Sequence, residues 1–207
     1  MKTESIDVDI VILGASYAAG WKLSQLGELT VVNKGVGGQE SHEMLARFEK
    51  DVLALHPDYV IIWGFINDIF RADPNRLSER LEKTREDLRA MVEMAQSHGI
   101  KPILATEVTT QNPRGFLNAV RGFIGRLRGK PSYAQFVSRE VMRVNNWLRG
   151  YAKEHSIPVL DIERLFAGED GLRKQAYVTD DGSHITPLAY EVLTKHVRQE
   201  SSRLFAR

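Results

Sequence analysis

The sequence predicts a doubly wound α/β sandwich with a parallel sheet, and two features carry this prediction. Short apolar, β-branched runs alternate along the chain with longer segments whose apolar residues recur at helical spacing. The short runs are apolar at consecutive positions, as expected when helices cover both faces of a parallel strand. Because no internal repeat, linker or low-complexity tract interrupts this alternation, residues 1–207 are predicted to form a single domain.

The predicted strands are runs rich in Val, Ile and Leu. They cover residues 8–13, 29–32, 59–63, 102–106 and 157–160. The first run ends at Gly14 and the second at Asn33, both residues that favour turns. Five such runs predict a five-stranded parallel sheet as the middle layer of a three-layer α/β/α sandwich.

Helical stripes lie between the strands. One stripe begins after Asp73-Pro74 and stops before Gly99, and a second lies between residues 137 and 151. The last helix has Thr186 as its cap and Pro187 in its first turn. Its predicted buried positions are Leu188, Val192, Leu193 and Val197.

Composition excludes several classes of function. Hydrophobic residues make up 43% and charged residues 27%, as in soluble globular proteins, and the net charge is only +1. We therefore expect no nucleic-acid partner, because no overall positive charge favours one. The chain has no cysteine, which excludes disulfides, thiolate nucleophiles and cysteine-based zinc sites. The six histidines show no ligand spacing, so no metal site is expected.

Membrane and secretion signals are weak in this sequence. No apolar run approaches the roughly 18–20 residues that span a bilayer, so we expect no stable membrane insertion. Glu4, Asp7 and Asp9 make the first segment acidic, whereas a secretion signal needs a basic one. We therefore expect a cytoplasmic protein.

Chemistry-bearing residues follow the predicted strands, at the sheet edge where open α/β folds bind ligands. The segments are residues 14–16, 33–38 and 64–68, with a fourth at 180–184 before the last helix. Ser16 offers a hydroxyl nucleophile, and His184 a base that activates it. Asp181 lies three residues before His184 and can fix the ring's tautomer. Backbone N–H groups of the glycine-rich loop and the Asn67 amide can stabilise an oxyanion.

These segments resemble the SGNH hydrolase family, the GDSL-type esterases and lipases. The family's Gly-Asp-Ser block is matched by residues 14–16, and its Asn-x-Gly-x-x-Gly loop by residues 33–38. Its Gly-x-Asn-Asp block is matched by residues 65–68, and its Asp-x-x-His block by residues 181–184. The four blocks occur in the family's order and span nearly the whole chain.

The resemblance implies a flavodoxin-like fold and hydrolysis of carboxylic esters or thioesters without a cofactor. Carried over by position, Ser16 is the nucleophile, His184 the base and Asp181 the residue that orients it. The oxyanion hole is implied to consist of the Ser16 N–H, the Gly38 N–H and the Asn67 side-chain amide.

The sequence departs from the family pattern at two positions. Ala15 stands where the family has Asp, which we expect to alter the rigidity of the serine loop more than the chemistry. Phe65 stands where the family has Gly, and we expect its ring either to narrow the substrate pocket or to shift the loop.

Other interpretations of single residues stay open. Ser16 could cap a helix, and Gly35 and Gly37 could be simple turn glycines. Asp180 could replace Asp181 as the partner of His184, although the spacing favours Asp181. Residues 14–18 also resemble the nucleophile elbow of α/β-hydrolases, but that fold places several strands before the serine.

A basic amphipathic insert lies at about residues 109–131, after the fourth predicted strand. It has no acidic residue, and Arg121 and Arg126 are among its basic ones. One hypothesis is a lid whose apolar stripe lines the pocket while Arg121 meets an anionic group of the substrate. The other is a basic surface helix packed on the core or on a partner subunit.

The predicted function is therefore a serine hydrolase that cleaves carboxylic esters or thioesters, small acyl or acetyl esters foremost, through an acyl-enzyme on Ser16. The partner is a small-molecule ester, and the oligomeric state is left open. The alternatives are a carbohydrate deacetylase or an acyltransferase on the same residues, or a silent member that binds an ester or glycan.

Overall fold

The fold is built around a six-stranded sheet in the order β2-β3-β1-β4-β5-β6. It is known from a computed structural model, which describes residues 7–111, 132–169 and 172–206. The strands are β1 (Ile10–Gly14), β2 (Gln25–Leu26), β3 (Leu29–Gly35), β4 (Tyr59–Trp63), β5 (Lys101–Ala105) and β6 (Val159–Leu160). All pairings are parallel except that of β2 with β3.

The parallel five-stranded sheet is confirmed, and its order is the flavodoxin-like one. The antiparallel edge strand β2 is an addition that the sequence analysis did not predict. Two residues are too short a run to show any hydrophobic period.

Helices flank the sheet and connect its strands. They are α1 (Ser16–Gly20), α2 (Ser41–Ala46), α3 (Phe48–Asp51), α4 (Ile66–Phe70), α5 (Leu77–Ser97), α6 (Tyr133–Glu154), α7 (Ile162–Phe166), α8 (Pro187–Gln199) and α9 (Ser201–Leu204). Short 3₁₀ turns occur at Leu53–Leu55, Pro74–Arg76 and Gln175–Tyr177. No helix in the described ranges is both long and apolar enough to cross a membrane.

Local sequence signals set the ends of the long helices. The Thr186 hydroxyl accepts a hydrogen bond from the Ala189 N–H and caps α8, as predicted. Gly99 has a φ of +74° just beyond the end of α5, a backbone conformation that favours glycine. The prediction that Leu188 is buried was wrong, because this side chain in the first turn of α8 is 48% exposed.

The topology places two of the predicted functional segments side by side. The chain leaves β1 for β3 on one side and then crosses to β4 on the other, so β1 and β4 flank the point where the strand order reverses. Gly14, the last residue of β1, is in register with Trp63, the last residue of β4. Because both strands are buried along their full length, their ends are held rigidly. The loops that contain Ser16 and Asn67 therefore start from adjacent, fixed points.

Candidate active site

Ser16 is the first residue of α1, and a close approach of α1 to β3 fixes its position. A Cβ added to Gly35 would lie 2.1 Å from the Ala19 backbone nitrogen. Gly35 is thus more than a turn glycine, because any side chain there would push α1 away from the sheet. The Ser16 N–H is in the first turn of α1, where backbone donors have no partner within the helix.

Asp181 and His184 form the best-defined contact of the site. The Asp181 Oδ2 and His184 Nδ1 atoms are 2.6 Å apart. The other carboxylate oxygen, Oδ1, accepts hydrogen bonds from the backbone N–H groups of Ser183 (2.7 Å) and His184 (2.9 Å), and from the Thr179 hydroxyl. Partial burial raises the pKa of Asp181, but these hydrogen bonds outweigh it and hold the pKa well below its usual range.

The ionised state of Asp181 determines the tautomer of His184. A carboxylate can only accept hydrogen bonds, so the short contact requires the proton on Nδ1 of the imidazole. Nε2 then carries the lone pair that a general base needs. The contact is made with Asp181, which favours Asp181 over Asp180 as the residue that orients the ring.

Tyr17 connects the serine helix to the histidine loop. Its hydroxyl donates a 2.7 Å hydrogen bond to the Ser183 carbonyl, and its ring meets the His184 ring edge-on with centroids 6.1 Å apart. Burial raises the pKa of Tyr17, so the hydroxyl stays a donor at any ordinary pH. Within the described ranges no hydrogen bond joins Ser16 Oγ to His184, and such contacts are often longer in ligand-free sites. The structure brings the two residues' segments together across the Tyr17 contact.

Two of the predicted oxyanion donors meet at the loop after β3. Asn67, in the first turn of α4, donates one amide hydrogen to the Gln39 carbonyl at 2.8 Å. A primary amide has two such hydrogens, so this bond orients the group and leaves a second donor. Gly38 has a φ of +80°, which requires glycine, and its N–H has no hydrogen-bond partner among the described residues.

The neighbouring surface is charged. The Arg71 guanidinium lies 3.2 Å from where a Cβ on Gly38 would be, and it also pairs with Glu40 at 3.2 Å. A depression of about 550 Å³ begins at Glu40 and Arg71. Its other lining residues are Ala72, Asp73, Arg76, Glu79, Arg80, Glu82, Lys83 and Glu86. The surface beside the predicted oxyanion loop is thus built mainly from charged side chains.

A comparison with known families identifies the chain. A sequence model of the GDSL-like lipase/acylhydrolase family matches residues 12–192. The chain belongs to this family. Since that match spans most of the chain and the fold agrees with it, the protein is a carboxylic ester hydrolase, as the resemblance implied.

Three similar proteins show how far the likeness extends. The uncharacterized lipoprotein YqeF of Bacillus subtilis (strain 168) is 25% identical over 185 residues, which are 86% of this chain and 75% of that protein. An acetylxylan esterase of Geobacillus stearothermophilus is 46% identical over 43 residues, 21% of this chain and 20% of that enzyme. The structure of a GDSL-like lipase from Bacteroides thetaiotaomicron superposes with a TM-score of 0.72 at 21% identity, covering 95% of this chain and 89% of that one.

Arg173 is a residue of this GDSL-like site that sequence reasoning missed. Its side chain is 2% exposed and donates hydrogen bonds to three successive carbonyls of the histidine loop. These are the carbonyls of Gly182 (3.2 Å), Ser183 (2.8 Å) and His184 (3.3 Å). Burial lowers the pKa of Arg173. A single arginine in a loop belongs to no sequence motif. The only signal that could have suggested the contact is that Arg173 lies close in sequence to the Asp-x-x-His block.

Asp68, the neighbour of Asn67, has a structural role. Its buried carboxyl accepts hydrogen bonds from the Ser41 N–H (2.9 Å), the Ser41 hydroxyl (2.6 Å) and the Thr84 hydroxyl (3.0 Å). Burial raises the pKa of Asp68 above its ordinary value. The network ties α4 to α2 and α5, and so anchors the helix that carries Asn67.

The remaining predicted site residues lie elsewhere. Phe65 is 1% exposed and belongs to the hydrophobic core, so its ring offers almost no surface, and its effect on the pocket stays a prediction. Ala15 is also buried, at 3%. Arg121 and nearly all of the insert at 109–131 lie outside the described residues. Among the residues that are described, no cluster of His, Asp or Glu could hold a metal ion.

Proposed function

We propose that the protein hydrolyses small carboxylic esters or thioesters through an acyl-enzyme on Ser16. The observation that carries this proposal is the 2.6 Å contact between an ionised Asp181 and His184 Nδ1, which leaves Nε2 as a base beside the serine helix. The Tyr17 contact supports it, as do the adjacent ends of β1 and β4, from which the loops of Ser16 and Asn67 start.

The proposed reaction has two halves. Ser16 Oγ bonds to the ester carbonyl carbon while its proton moves to His184 Nε2, and the negative charge that develops on the carbonyl oxygen is stabilised by the three donors. The bond to the leaving alcohol or thiol then breaks as His184 returns the proton to it. Water next attacks the acyl-enzyme in the same way, releasing the acid and free Ser16.

The charged surface beside Gly38 favours a second, narrower function: removal of acetyl groups from a hydroxyl-rich compound such as a carbohydrate. Arg71 and Glu40 offer donors and acceptors of the kind that bind sugar hydroxyls. The local similarity to an acetylxylan esterase agrees with this candidate, although it covers only 43 residues.

Hydrolysis of p-nitrophenyl esters from acetyl to long acyl chains tests the proposal, with acetylated xylo-oligosaccharides assayed in parallel. We expect the wild-type protein to hydrolyse the short esters and Ser16→Ala to lose essentially all of this activity. Ser97→Ala, which changes an exposed serine of α5, should keep full activity. Turnover that survives Ser16→Ala would overturn the assignment. Transfer of the acyl group to an added alcohol, in place of hydrolysis, would favour an acyltransferase. If no ester reacts at all, the result would favour a silent member that only binds its ligand.

A cytoplasmic location also stays a proposal. Fractionation of cells that express the full-length native gene product would test it. Recovery with the soluble cytoplasmic fraction is expected, whereas recovery with membranes would favour a lipoprotein like the Bacillus subtilis relative.

A further inference from the structure

Glu107 follows β5 at the same sheet edge as the predicted active site and is almost completely buried, at 1% exposure. Its Oε1 accepts hydrogen bonds from the backbone N–H groups of Phe65 (3.0 Å) and Ile66 (3.4 Å). Its Oε2 is buried and has no hydrogen-bond partner among the described residues. A buried carboxyl group is costly for a fold, so this placement calls for an explanation.

The two N–H groups that donate to Glu107 lie at the start of helix α4, which has only five residues. Helices of this kind need an acceptor for their first N–H groups, and the usual one is the side chain of the N-cap residue. Here the N-cap residue is Phe65, whose ring cannot accept a hydrogen bond. A carboxylate from the loop after β5 therefore takes the place of the local cap and sets the orientation of α4.

The position of Glu107 is itself fixed from the other side. Asn145 of α6, which is fully buried, accepts a hydrogen bond from the Glu107 N–H (3.0 Å) and donates one to its carbonyl (2.8 Å). The backbone of Glu107 is thus fixed by α6, while its carboxylate meets the first N–H groups of α4. Asn67 lies one residue beyond the capped N–H groups, so a shift of Glu107 would move its amide.

We propose that Glu107 is a positioning residue, which caps α4 across the sheet edge and thereby aims the Asn67 amide at the oxyanion. This inference rests on the proposed function of Asn67. Glu107 is not proposed to contact the substrate. We therefore expect substitutions of Glu107 to change the rate of the chemical step and not the binding of substrate.

The test is a double-mutant cycle with p-nitrophenyl acetate, using wild type, Glu107→Gln, Asn67→Ala and the double variant. Kinetics are measured at pH 8, above the raised pKa of Glu107. There Gln keeps the shape of the side chain but exchanges a charged acceptor for a weaker neutral one. We expect Glu107→Gln to lower kcat about 5- to 10-fold with KM nearly unchanged, because charged acceptors bind N–H groups more strongly. In the Asn67→Ala background the same substitution should change kcat less than about twofold, because the amide that it positions is gone.

Glu163→Gln is the matched control. Glu163 is a buried glutamate at the same sheet edge, just after β6, but its carboxylate pairs with Arg149 and not with α4. This variant should leave kcat unchanged. Glu107→Asp is the second variant. It keeps the charge on a side chain that is shorter by one methylene group, and it should also lower kcat.

The outcomes separate the two claims. If Asn67→Ala leaves kcat unchanged, the proposed oxyanion role of Asn67 fails, whatever Glu107 does. If Asn67→Ala lowers kcat but both Glu107 variants fold and match wild type, the positioning role of Glu107 is overturned. Equal losses from Glu107→Gln in both backgrounds would also overturn it, since a general loss of structure does not depend on the Asn67 side chain.

Discussion

At the scale of single residues, the imidazole of His184 has one nitrogen held by Asp181, and the proposed mechanism assigns the other to Ser16. The hydrogen bonds from Thr179, Ser183 and the His184 backbone keep Asp181 ionised, and an ionised acceptor fixes the proton on Nδ1. The function of this pair therefore depends on a negative charge in one place more than on overall packing.

Asp181→Asn should lower kcat by about 10³- to 10⁴-fold, because an amide cannot enforce the correct tautomer. Asp180→Asn, which changes the adjacent residue in the same way, is the control and should retain most of the activity. Steady-state kinetics with a short ester measures both. A greater loss in Asp180→Asn than in Asp181→Asn would show that the other carboxylate orients His184.

A second prediction at this scale concerns Gly35, which packs tightly against α1 and which we replace by Ala. The new methyl would clash with backbone atoms of α1 at 2.1 Å, so we expect destabilisation by about 1–3 kcal/mol and a loss of activity as Ser16 moves. Gly37→Ala is the control, because a Cβ there meets nothing within 4 Å. Urea unfolding of the two variants compares them, and equal stabilities would contradict the close approach.

At the scale of elements, the start of α4 is capped by a carboxyl group from the loop after the neighbouring strand β5. Burial raises the pKa of Glu107 from 4.5 to about 7, while the hydrogen bonds from Phe65 and Ile66 oppose that rise. The unfolded chain releases this proton near its ordinary pKa, so between these two values the folded protein binds more protons than the unfolded one.

The consequence is a stability that depends on pH. The contribution of Glu107 is fully present below about pH 4.5 and is lost as the pH rises to about 7, a decrease in the free energy of unfolding of up to about 3 kcal/mol. Glu107→Gln cannot titrate at this position and should lack the decrease. The free energy of unfolding of the variant, relative to that of wild type, should therefore rise between about pH 4.5 and 7. Urea unfolding at a series of pH values measures the difference. Curves that stay parallel from pH 4.5 to 8 would show that Glu107 titrates normally.

At the scale of the whole molecule, residues in short local patterns were predictable and those defined by tertiary contacts were not. The five parallel strands, the Thr186 cap and the Asp181–His184 spacing are local, and the structure has them where the sequence placed them. Glu107 and Arg173 are single charged residues whose partners lie far along the chain or in a loop, so no pattern marked them. Leu188 fits a helical stripe, but the first turn of α8 extends beyond the core.

The pH profile of the reaction is a property of the assembled site. Because the base must be neutral, kcat/KM should fall as the pH drops below neutrality and the base becomes protonated. Asp181, with its lowered pKa, stays ionised throughout this range and adds no second step. The profile should keep its acid limb in Glu107→Gln. A rate that stays flat down to pH 4 would contradict a histidine base.

The most direct test of the central claim is to trap the covalent intermediate at Ser16. The protein is incubated with a fluorophosphonate, its intact mass is measured, and the modified peptide is sequenced by mass spectrometry. The mechanism predicts one adduct per chain on Ser16 of wild type, none on Ser16→Ala, and much slower labelling of Asp181→Asn. An adduct on another serine, or undiminished labelling of Ser16→Ala, would contradict the account.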